Sequence, residues 1–239
     1  MLRLRGNIYP VNYDTSNIMY RLITIISIIA CFIPVIVLII RKLWKESIYT
    51  LIATYWLING LINITTLFGI PVDPVTDDYI TLTANYMDVP MVLFIFYVAS
   101  EGMRKNIIRI TLITFIVFEI CITAIKGFNY DSVTIILGAS LVIIILFGIV
   151  GIVSYLAKIE HTPQENAMVF VYSSFLFFYG SFIIVYVFSY LTHKASDEDT
   201  FLLYYLELLI ATIPSIYALI KYAGLKTDRL PVRRKVEGF

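Results

Sequence analysis

Three carboxylates stand inside stretches that are otherwise almost wholly apolar: Asp88, Glu119 and Glu207. An ionisable group at membrane depth is costly, so it faces a bundle interior or an aqueous cavity, where it can relay protons or hold a cation. Other polar groups belong with them. Asn59 and Asn63 are spaced i, i+4 and share one face of a helix. Arg21 is the base near enough to join, Tyr86 and Tyr204 offer hydroxyls, and Tyr186, Tyr205, Ser181 and Thr212 are further candidates. Carboxylates gathered in one place cannot all stay ionised, so a shared site would hold a proton or a small cation. Each partner also has a plainer reading. The asparagines suit interhelical hydrogen bonding, the tyrosines an interfacial belt, and Arg21 a headgroup anchor.

Other chemistries find little support. His161 and His193 fall in separate loops on opposite sides of the expected bundle, without a cysteine or carboxylate at ligand spacing. No Gly-x-Ser-x-Gly, phosphate loop or His-Glu-x-x-His occurs. Cys31 and Cys121 both lie in apolar runs, where a thiol is a small hydrophobe, so no disulfide framework is expected. A net charge of +1 gives no case for nucleic acid. No metal and no cofactor is expected.

The elements that must position these residues follow from composition. The 239 residues are 59% hydrophobic and 15% charged, with a mean hydropathy of +0.85. A soluble domain is about 25% charged, so the chain reads as an all-α, multi-pass protein of a prokaryotic inner or plasma membrane. Seven apolar runs, at 18–40, 48–69, 79–100, 107–125, 132–156, 167–191 and 201–220, each approach the ~20 residues needed to cross a bilayer. Consecutive rather than alternating apolar residues exclude a barrel. Asp88 and Pro90 make the third run the weakest. Thirteen Lys and Arg residues fall on one side of a seven-span layout and five on the other. That asymmetry places the N-terminus outside and the C-terminus in the cytoplasm. Residues 1–225 form one seven-transmembrane helix bundle and 226–239 a short basic tail. Asp88 is nine residues in from position 79, Glu119 six from 125 and Glu207 seven from 200. At ~1.5 Å per residue all three lie roughly 9–14 Å below the outer surface, in one layer.

Within this layout Asn85-Tyr86-Met87-Asp88 resembles the third-helix Arg-Tyr-x-Asp of the microbial rhodopsins, and Leu206-Glu207 resembles their seventh-helix Leu-Asp. The resemblance covers about ten residues and implies a seven-helix architecture with Asp88 similar to the primary counterion. It does not extend to the chromophore. The retinal lysine, four residues beyond that Leu-Asp acid, is here Ala211, so no Schiff base can form. Asn85 replaces the arginine, Pro90 falls closer to the acid than the pattern puts it, and the two tryptophans, Trp44 and Trp56, are not in the sixth helix.

Small-ligand or signal sensing without retinal, through an outer-half site for a small cationic ligand or protons, is the leading expectation. A proton- or cation-coupled transporter is the alternative. An intramembrane lipid enzyme and a structural subunit of a membrane complex complete the set.

Overall fold

In a computed structural model, residues 15–64, 73–191 and 197–222 are described, with the side chains of 15–18, 74, 189–190 and 197–201 outside the description. These residues form seven α-helices and no strand. They are α1 (Thr15–Ile40), α2 (Ser47–Ile62), α3 (Pro74–Ala99), α4 (Gly102–Lys126), α5 (Tyr130–Leu156), α6 (Pro163–Val185) and α7 (Asp197–Lys221). A 3₁₀ turn at Leu43–Lys45 links α1 to α2, and α6 runs on into a π-helical stretch, Tyr186–Leu191.

Local chemistry sets the boundaries. Asp73 caps α3, its carboxylate accepting from the Thr76 amide at 3.2 Å, with Pro74 in the first turn where its missing N–H costs nothing. Asn129 and Ser132 form a capping box on α5, and Thr162 and Glu165 one on α6. Gly127, at φ +85°, ends α4 in a conformation that side chains other than glycine's rarely take.

Six helices are long and apolar enough to cross a membrane, which gives the protein multi-pass membrane character. The exception is α2, with 16 residues where the sequence predicts a span over 48–69. The remainder of that run, 65–72, lies outside the described residues, as do the 226–239 tail and His193. The third run is not broken at Asp88 and Pro90: α3 passes through both over 26 residues. A proline inside a helix removes one backbone bond, and neighbouring helices make that tolerable in membrane bundles.

Helices α1, α2, α3, α5, α6 and α7 close a ring, each packing on the next and α7 returning to α1. α4 sits outside it, against α3 and α5, with only 17% of its apolar window buried. Its inward stripe is Ile108, Phe115 and Glu119, so a carboxylate occupies a position where the seven-residue helix repeat demands an apolar residue. Small residues let the helices approach. A Cβ added at Gly151 of α5 would lie 2.7 Å from the Tyr172 ring of α6.

The basic residues collect at one end. Arg41, just beyond α1, donates to the carbonyls of Leu219 and Ile220 at the end of α7, satisfying acceptors that a helix terminus leaves open. Phe170 of α6 stacks on Tyr222, and Arg104 of α4 lies over Tyr172. The opposite end is tied by the Tyr130 hydroxyl, which donates to Asp78 at 2.7 Å.

Candidate functional site

Asp88 is fully buried in the middle of the ring. Two tyrosines clasp it from helices on either side. Tyr179 of α6 donates to Oδ2 at 2.5 Å and Tyr55 of α2 to Oδ1 at 3.1 Å, the two hydroxyls being 3.4 Å apart. Such a short hydroxyl–carboxyl contact belongs to the charge-assisted class. The tyrosines are themselves immobilised. Tyr55 meets Trp56 and Phe175 edge-on, at centroid distances of 5.2 and 5.0 Å, and Tyr179 meets Phe178 at 5.5 Å. The carboxyl is therefore held by groups that cannot easily turn away.

A ladder of amides continues toward the end opposite the basic one. Asn59, one turn beyond Tyr55, donates to the Tyr55 carbonyl at 3.0 Å, and Asn63, a turn further, donates to the Asn59 carbonyl at 2.8 Å. Asn63 crosses to α7, donating to the Tyr204 hydroxyl at 3.3 Å and accepting from Tyr205 at 3.2 Å. On α3, Asn85 donates to the Thr81 carbonyl at 2.9 Å. All four of these side chains, Asn59, Asn63, Asn85 and Tyr204, are buried.

The acceptors left over have a consistent sign. Asn59 Oδ1, Asn85 Oδ1 and Glu119 Oε1 are buried with no hydrogen-bond partner; the unmatched donor nearby is the Trp56 indole Nε1. Glu119 is buried on the inward stripe of α4, the helix that packs against α3 and α5. Tyr86 binds the walls together, its hydroxyl 2.8 Å from Ser132 of α5 and accepting from Thr123 of α4 at 2.8 Å. Acceptors that outnumber donors around a buried carboxylate are chemically suited to a proton or a small cation.

One of the sequence candidates stands elsewhere. Arg21 is exposed, so it does not reach the buried layer: a long cationic side chain near a helix end keeps its head at the surface. Glu207 of α7 is buried, with Oε2 unpartnered. Tyr55 and Tyr179 are the residues that sequence reasoning missed. Each sits among aromatic residues with nothing to mark its hydroxyl as aimed at a carboxyl.

No group of three metal-ligating side chains occurs among the described residues. Comparison with protein-family models, curated proteins and solved structures finds no match.

Proposed function

We propose that this is a multi-pass membrane protein that senses a proton or a small cation, without retinal, through the interior site built on Asp88. In this reading seven helices span the membrane, the N-terminus is outside, the basic C-terminal tail is cytoplasmic, and the lipid bilayer is the constant partner. One observation carries it: a wholly buried carboxyl clasped by hydroxyls from two helices, with unpartnered acceptors on Asn59, Asn85 and Glu119 around it. Charging or neutralising that carboxyl changes the strength of both tyrosine bonds. Those bonds join α2, α3 and α6, so occupancy of the site is coupled to how three helices pack.

The second reading is transport. Pro90, two residues beyond Asp88, removes one backbone bond within the continuous α3, and α6 ends in a π-helical stretch; irregular helix of the latter kind is what coupled transporters use. One experiment separates them. Protein reconstituted in liposomes is titrated with protons and with ammonium, using Trp56 fluorescence in a Trp44→Phe background as the conformational signal, while a trapped pH dye records flux. A sensor gives a saturable signal that Asp88→Asn abolishes, with no flux. Flux abolished by Asp88→Asn establishes the transporter, and an Asp88→Asn protein that titrates like the parent refutes both.

A further inference from the structure

The unpartnered groups at the basic end have the opposite sign. At the corner between α3 and α4, Arg104 Nε and Nη2 are buried without an acceptor, and these two atoms form the side-on edge of the guanidinium. Ser100, four residues earlier and 4% exposed, has an unpartnered hydroxyl. Tyr172 stands between α4 and α5, its hydroxyl beside both the Ser100 and Arg104 side chains. The N-cap of α4 is Glu101, whose side chain makes no cap bond, so the first amides of that helix also lack a side-chain acceptor.

The guanidinium is held in place. It lies 5.1 Å over the centroid of the Tyr172 ring, which is pressed against the α5 backbone at Gly151 and packs on Phe96 at 4.9 Å. Arg104 makes no ion pair among the described residues. A guanidinium edge and a hydroxyl whose neighbouring polar group is the neutral Tyr172 phenol, beside a helix N-terminus without a side-chain cap, match an oxyanion with several oxygens. Arg104 as a residue is partly exposed, so the corner adjoins the surface. α4 is the helix outside the ring, packed only on α3 and α5, and the corner stands at its N-terminal end.

We infer that the Arg104–Ser100–Tyr172 corner binds a phosphoryl group. This is independent of the Asp88 reading, which concerns the middle of the bundle. The full-length protein is tested in detergent with inorganic phosphate, and in nanodiscs of phosphatidylcholine with or without phosphatidic acid, reading thermal stability and lipid retention by native mass spectrometry. Saturable stabilisation by phosphate assigns a free anion. Stabilisation and retention with phosphatidic acid alone assign a lipid headgroup. In either case Arg104→Lys, which keeps the charge but loses the side-on edge, binds about tenfold or more weakly, since a lost hydrogen bond to a charged group is worth that much. Lys105→Ala, one residue along, keeps parental affinity. Equal loss in both variants shows a diffuse basic surface and overturns the site, as does unchanged binding in Arg104→Lys or no binding in either arm.

Discussion

Replacing Tyr179 with Phe removes one hydroxyl and almost no volume, which makes it the sharpest test of the clasp. The hydroxyl lost donates to Asp88 at 2.5 Å, against 3.1 Å for Tyr55. Interhelical hydrogen bonds in membrane proteins are worth about 0.6 kcal/mol on average and up to roughly 1.7. A short bond to a buried carboxyl belongs at the top of that range, because bonds to charged groups are about twice as strong as neutral ones. The expected cost of Tyr179→Phe is therefore about 1.5 kcal/mol, with Tyr55→Phe costing less because its bond is longer. Combined with Asp88→Asn, Tyr179→Phe should be markedly non-additive, with a coupling of about 1 kcal/mol, since one change turns the acceptor of the bond from a carboxylate into a neutral amide and the other removes its donor. Equilibrium unfolding of the four proteins in mixed detergent measures all these terms. A Tyr179→Phe cost below about 0.5 kcal/mol, or strict additivity in the cycle, would refute the clasp as the feature that holds α3 to α6.

Three further outcomes are expected. Topology reporters fused at Phe239 should report the cytoplasmic side and reporters at Met1 the outer side, and the reverse pattern would remove the seven-span orientation. Gly151→Ala should destabilise by about 1–3 kcal/mol, because its Cβ would lie 2.7 Å from the Tyr172 ring. Gly180→Ala, which meets no atom within 4 Å, is the matched control in the same unfolding assay. Added retinal should give no visible band that hydroxylamine bleaches, since Ala211 carries no amine.

Much of the fold was legible because the bilayer writes helices into sequence as long apolar runs. Boundaries were less legible. The sequence run beginning at position 79 misses the first turn of α3, because Asp73 and Pro74 are helix-starting residues that look like loop when only hydropathy is scored. For α4 the same error hides Arg104, which lies inside the helix rather than before it. For α2 the described helix ends at Ile62, and the rest of the apolar run, from position 65 on, lies outside the described residues. Hydropathy registers what a segment can be buried in, not where its backbone bonds stop.

The site divides along the same line. Asp88, Asn59 and Asn63 stand out because each is a polar residue on an inward face, and the i, i+4 spacing of the asparagines survives as a hydrogen-bonded ladder. Depth alone does not say which way Glu119 and Glu207 turn, because rise along a helix says nothing about rotation around it. Glu119 continues the buried Ile108–Phe115 stripe of α4. The tyrosines were hidden for a different reason. In an interior where Tyr55, Tyr179, Phe175 and Phe178 are all fully buried, a hydroxyl is visible in the sequence only as one more aromatic. Yet a tyrosine buried in such a place must find an acceptor or pay for desolvation, and the nearest strong acceptor is a carboxylate. Two of them converging on Asp88 is thus the same constraint seen from the other partner: the buried acid needs donors, the buried phenols need an acceptor, and the three helices pack where both are met.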